Sequence, residues 1–139
     1  MAALTARSLK IEIDAVERYA EVFAATVEAD DADADSVTFK EAAEGGARAY
    51  TLNITMTQDM ASSSLWSSIW DEAGADVPVT LMPYGNEAPS VTQPHFTMTA
   101  SIREPNGTLM GGEADANPLT RFEVEVEWPL LAKPVRVTA

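Results

Sequence analysis

The sequence predicts a mainly β domain of two packed antiparallel sheets, a sandwich or small barrel, flanked by one short α-helix. Three observations predict it. Apolar and polar residues alternate over several separate segments, the period of two shown by a half-buried strand. Clusters of Gly, Pro and Asn separate those segments. A single stretch carries apolar residues four apart behind a run of serines, as a capped helix does.

Residues 8–14 open the pattern, with Leu9, Ile11 and Ile13 on one face and Lys10, Glu12 and Asp14 on the other. Residues 21–28, rich in Val, Phe and Thr, read as a second strand. Residues 29–35 are acidic and alanine-rich, the composition of a solvated loop. A brief strand is expected over 36–39, then a flexible segment around Gly45 and Gly46. Alternation returns over 50–57, where Tyr50, Leu52, Ile54 and Met56 share the apolar face.

The helix is expected over 64–73. A hydroxyl from the Ser62, Ser63, Ser64 cluster can accept from an unpaired first-turn N–H. Leu65, Trp66, Ile69 and Trp70 then form one apolar side that packs on a sheet, and Gly74 suits a left-handed C-cap. Strands resume at 77–82, before a turn-rich stretch from 83 to 94. Phe96, Met98, Ala100 and Ile102 make the next alternating face. Residues 103–119 form a long loop with Pro105, Asn106-Gly107, Gly111-Gly112 and Pro118. In the last strand Phe122, Val124, Val126 and Trp128 face one way and Glu123, Glu125 and Glu127 the other. Pro129 and Pro134 are expected to limit pairing beyond it.

The 139 residues suit a single domain, 1–139, large enough for one core. A formal net charge of −13 disfavours binding to nucleic acid or to an anionic membrane surface. The absence of cysteine removes disulfides, thiolate metal sites and cysteine nucleophiles. Residues 1–10 hold no apolar run of the signal-peptide kind, and no stretch reaches the ~20 apolar residues of a membrane span. A soluble protein made inside the cell is expected.

The chemistry-bearing residues point to no enzyme. His95 is the only histidine and has no Cys or second His to share a metal. Asp31, Asp33 and Asp35 have the spacing that opens a calcium loop, but Ser36 and Ala42 stand where its glycine and glutamate belong. Serines 62–64 lack the flanking glycines of a hydrolase elbow. Asn53-Ile54-Thr55 and Asn106-Gly107-Thr108 match the glycosylation pattern, which has no meaning without secretion. No catalytic, cofactor-binding or metal site is expected, and no cofactor.

The acidic stripe of Glu123, Glu125 and Glu127 asks for a reason, since like charges on one strand face repel. They could simply discourage edge-to-edge aggregation. Alternatively, they could form a surface that must not hold a polyanion.

Several stretches taken together resemble the tail tube proteins of siphophages, the long-tailed bacteriophages. They are Val37-Thr38-Phe39, Arg48-Ala49-Tyr50-Thr51-Leu52 with Gln58-Asp59, and the run from Ser64 to Gly74 leading into Val77-Pro78-Val79-Thr80-Leu81. Pro94 to Ile102, Gly111-Gly112-Glu113 and the strand from Phe122 to Trp128 complete the series. The resemblance implies a virion structural protein, a two-sheet subunit joining edge to edge into hexameric rings that stack as a tube. It implies no added C-terminal immunoglobulin-like domain. The expected setting is the virion tail, assembled in the host cytoplasm. The expected partners are copies of the chain itself, a tape-measure protein, a tail terminator and a distal tail protein, with no membrane involved.

DNA would pass through such a tube without specific binding during genome ejection. Carboxylates lining the lumen repel it over about one Debye length, ~8 Å at physiological salt. The lumen-facing set is expected to be Lys10, Glu12, Asp14, Glu123, Glu125 and Glu127, with Leu9, Ile11, Ile13, Phe122, Val124 and Val126 packed between the sheets. Lys10 and Arg103 would relieve part of the repulsion. Two other readings compete: a tail terminator or neck ring protein, and a monomeric β-sandwich binding module with an exposed aromatic patch.

Overall fold

The computed structural model describes residues 8–31, 38–43, 48–117 and 120–139. Among these residues, eight strands form two antiparallel sheets: β1 (Lys10–Ile13), β2 (Val16–Glu17), β3 (Val22–Asp31), β4 (Arg48–Thr57), β5 (Asp76–Met82), β6 (His95–Ser101), β7 (Glu123–Pro129) and β8 (Val135–Val137). A five-stranded sheet has the order β2-β1-β5-β6-β8, and a three-stranded sheet the order β3-β4-β7. A one-turn helix α1 (Phe39–Ala43) precedes β4, and the longer α2 (Leu65–Glu72) leads from one sheet to the other.

The alternation in sequence becomes the core. Ile11 and Ile13 of β1, Leu52, Ile54 and Met56 of β4, Val77 and Val79 of β5, and Val124, Val126 and Trp128 of β7 are buried in one cluster. Each strand gives one face to that cluster and its polar face to solvent, the arrangement of a sandwich. From α2, Leu65, Trp66 and Ile69 join the same core. Ser64 caps this helix, its hydroxyl accepting from the Ser67 N–H at 3.2 Å. Gly74 ends it at φ +97°, a conformation that costs least without a Cβ. There its N–H donates to the Ile102 carbonyl at 2.7 Å, tying the helix end to the residue that follows β6.

Several expectations are corrected. Phe39 is not in a strand; it starts α1 and is almost wholly exposed, because Lys-Glu-Ala-Ala after it favours a helical turn. Leu9 and Phe122 lie at the strand ends and are 37% and 44% exposed, so neither packs between the sheets. The prolines do not end pairing. Pro129 sits within β7 opposite Thr51, while the next residue, Leu130, donates its N–H to Tyr50 O. Antiparallel ladders alternate bonded and non-bonded pairs, so the missing N–H of Pro129 falls where β4 needs none. The chain then leaves β4 for β6, through a bridge from Leu130 to Ala100 and a Leu131 N–H to Thr99 O bond of 3.0 Å. After Pro134, β8 pairs with β6 from His95↔Val137 to Thr97↔Val135. Residues 123–137 therefore stitch the two sheets together at a corner.

Sequence reading missed β2. It forms a hairpin with β1 across Asp14 and Ala15, both at positive φ, 53° and 63°. That is the sign pattern of a two-residue type I′ turn, normally supplied by Asn-Gly. Much of the acidic stretch, including Asp33 and Asp35, and also Ser36, Gly45, Gly46 and Pro118, lies outside the described residues; Asp30 and Asp31 end β3.

Candidate functional site

The most distinctive surface is the outer face of the three-stranded sheet. Burial of Leu52, Ile54 and Met56 directs Ala49, Thr51, Asn53, Thr55 and Thr57 outward. Their partners on β7 are Pro129, Glu127, Glu125 and Glu123, opposite Thr51, Asn53, Thr55 and Thr57. Their partners on β3 are Asp30, Glu28, Thr26 and Ala24. Directly paired residues project to the same side, so this face carries short polar groups and carboxylates, with no lysine or arginine at its outward positions; the one arginine of these strands, Arg48, alternates with the inward set of Tyr50 and Leu52.

Glu123, Glu125 and Glu127 are all exposed. Two residues along a strand is about 7 Å, at which two like charges in water repel by roughly 0.6 kcal/mol. Burial favours Val124, Val126 and Trp128 far more strongly, so the alternation holds against that repulsion. The three glutamates line a depression of about 610 Å³ whose far wall is the loop from Arg103 through Glu104 to Thr108. Four carboxylates there face a single guanidinium, that of Arg103.

Three side chains hold this loop in place. The Trp128 indole N–H donates to Arg103 O at 3.1 Å, and that of Trp66 to Leu109 O at 2.8 Å. Gln58 makes a two-way amide clasp on Gly111, donating to its carbonyl at 2.9 Å and accepting from its N–H at 2.7 Å. It also reaches Glu123 O at 3.1 Å. No periodicity announces these roles; only the polar edge of a buried Trp, which must find a partner, was a usable signal.

Lys10, Glu12 and Asp14 do not join this surface. They project from the outer side of the five-stranded sheet, since Ile11 and Ile13 share the core with Val124 and Val126. Residues on opposite outer faces of one sandwich cannot line the same wall, so the expected six-residue lumen set divides in two. Lys10 instead sets its Nζ 5.0 Å from the Tyr19 ring, and Asp14 occupies the hairpin turn.

The helix also departs from expectation at one position. Leu65, Trp66 and Ile69 are buried, but Trp70 is 52% exposed. It stacks on Trp66, ring centroids 5.6 Å apart and planes 13° from parallel, on the side away from the sheets. The helix start is anchored by a pair that sequence reading passed over. Arg18 meets Glu21 at 3.1 Å and donates to Ser63 O at 2.7 Å, while Glu21 accepts from the Leu65 N–H at 3.2 Å.

His95 is buried at the start of β6, its Nε2 2.9 Å from Asn86 O. A carbonyl only accepts, so Nε2 carries the proton and donates. That contact fixes the turn-rich segment before the strand. Among the described residues no group of three or more His, Asp or Glu side chains is placed to hold a metal ion. No described helix is long and apolar enough to cross a membrane.

A second feature adjoins the outer edge of β3. Val27, Ala29, Tyr50, Leu81, Phe96 and Met98 line an apolar groove of about 430 Å³ between the sheets. β3 itself is ten residues long and, among the described residues, has a neighbour, β4, on one side only. No protein-family model matches the chain, and no curated protein matches it in sequence.

Proposed function

We propose that this chain is a structural subunit of a siphophage tail tube, pairing edge to edge into hexameric rings that stack around the DNA channel. The observation that carries the reading is the outer face of β3-β4-β7, where three regularly spaced glutamates stand on strands that bear no outward cation. A wall of that kind repels phosphate and leaves a duplex free to slide. In this reading the lumen wall is the three-stranded sheet alone, and the Lys10, Glu12, Asp14 face turns outward. The outer edge of β3, with the apolar groove beside it, is the surface a neighbouring copy would cover, because a strand edge of that length with no partner among the described residues is a template for pairing. The sequence resemblance to tail tube proteins supports the same assignment.

The test is negative-stain electron microscopy of the concentrated pure protein, followed by a reconstruction of any tube. Hollow fibres with Glu123, Glu125 and Glu127 on the inner wall are expected. A protein that stays monomeric at every concentration, or a tube with those glutamates outside, would overturn the proposal. Single rings that never stack would favour a terminator. The exposed Trp70, stacked on Trp66, favours one other reading, a monomeric binding module that uses an aromatic platform. That reading expects a monomer whose ligand binding is lost in Trp70→Ala.

A further inference from the structure

We infer that Asn106 is a site of spontaneous deamidation, a modification that adds a carboxylate to the anionic depression beside β7. The reaction is intramolecular. The backbone nitrogen of the following residue, once it has lost its proton, attacks the side-chain amide carbon. A carbon–nitrogen bond forms and the amide nitrogen leaves as ammonia, closing a five-membered imide. Water then opens the ring at one of two carbonyls, giving aspartate or, through the other, isoaspartate with the chain rerouted through Cβ.

The limiting requirement is geometric: the attacking nitrogen must reach Cγ, which a side chain on the next residue hinders and a folded backbone ladder prevents. Of the four asparagines, Asn106 alone meets it. Asn53 is held in the middle strand of its sheet and is followed by branched Ile54. The Asn86 amide donates to Gln93 O at 3.1 Å. Asn117 precedes Pro118, whose nitrogen carries no proton to lose. Asn106 precedes Gly107, lies exposed in the loop outside any strand or helix, and makes no side-chain hydrogen bond among the described residues. Around Gly107, no other part of the molecule comes within 4 Å of where a Cβ would stand.

The position gives the chemistry a consequence. Asn106 lines the same depression as Glu123, Glu125 and Glu127. Aged subunits carry a fifth carboxylate there, opposite Arg103. In the isoaspartate form the loop backbone is also one carbon longer. The chemistry does not rest on the tube reading, since it is measured on the free subunit.

The purified protein, held folded at pH 6 and pH 8, is followed by intact mass, isoelectric focusing and peptide mapping. The expected result is a gain of the mass difference between –NH₂ and –OH, and one step of added negative charge. Both localise to the peptide holding Asn106 and appear faster at pH 8, where more of the attacking nitrogen is deprotonated. Asn106→Gln should abolish the step. Gly107→Ala, which the open space accommodates, should slow it without unfolding the protein. A urea-unfolded sample provides the reference rate. If Asn106 persists in the folded protein while the unfolded chain converts, or if the change maps to another asparagine, the inference is wrong. It is equally wrong if Gly107→Ala leaves the rate unaltered.

Discussion

The indole of Trp66 is shared between two jobs: its ring lies in the core, and its Nε1–H donates to the carbonyl of Leu109 at 2.8 Å. One side chain thereby joins helix α2 to the middle of the loop that walls the acidic depression. Trp66→Phe keeps most of the buried area and removes the donor, leaving the Leu109 carbonyl without its protein partner. A loss of about 1–2 kcal/mol in urea unfolding, with an unchanged m-value, is expected. Amide exchange should rise around Leu109 and Gly111 and stay constant in β4.

The hairpin turn can be improved. Ala15 sits at φ 63°, where a Cβ crowds the following carbonyl at a cost of roughly 1–2 kcal/mol, part of which glycine's greater unfolded freedom takes back. Ala15→Gly should stabilise the protein by about 0.5–1 kcal/mol, a rise in Tm of ~1–4 °C for a domain of this size. Differential scanning calorimetry checks it; a lower Tm would mean that β2 is not held by this turn.

Gly85 is the opposite case. Its φ is +72°, and a Cβ there would collide with the carbonyl oxygen of Ser8. The obstacle is main-chain, so no side chain can swing aside to make room. Gly85→Ala should cost about 2–4 kcal/mol, read as a drop in the urea midpoint, and should loosen the start of β1. Gly107→Ala, where the space is open, is the neutral control.

Charge on the outer face can be inverted without touching the core. Glu123, Glu125 and Glu127 are exposed, so replacing all three by lysine should change stability by only about 1 kcal/mol in total. The wild-type protein should not bind a DNA duplex. The triple variant should bind it at low salt and release it as salt rises, in proportion to the phosphates contacted. Fluorescence anisotropy of a labelled duplex across a salt series measures this.

With a net charge of −13, mutual repulsion should also mark stability. Moving from ~0.01 M to ~0.15 M sodium chloride shortens the Debye length from about 30 to 8 Å and should raise Tm. A thermal melt that does not move with salt would show that the carboxylates are already compensated.

The strands were legible in sequence wherever burial is one-sided. Ile11 and Ile13, Leu52 to Met56, and Val124 to Trp128 each announce a face, and those faces meet in the core. What stayed hidden depends on pairing rather than pattern. β8 is three residues long with two exposed, and β2 is two residues, so neither has a period to read. The acidic stripe could be seen, but which other charges share its face could not. Lys10, Glu12 and Asp14 alternate in the same way as the glutamates, and only sheet order shows that they face the other way. Trp70 fits the helical spacing and still lies outside, because a helix of eight residues buries a narrow stripe and Trp66 already fills it.

The corner made by residues 123–137 governs when this molecule can become complete. β7 pairs with β4, laid down before α2, and the segment after it pairs with β6. Residues 123–137 therefore leave the ribosome after every other strand described, and they give both sheets a neighbour these lacked until then. Until they arrive, β4 and β6 each keep a bare side, and such long-range closure is slow and open to mispairing with other chains. A nascent chain that stops short of residue 123 would hold most of the apolar pattern and still be unable to finish folding.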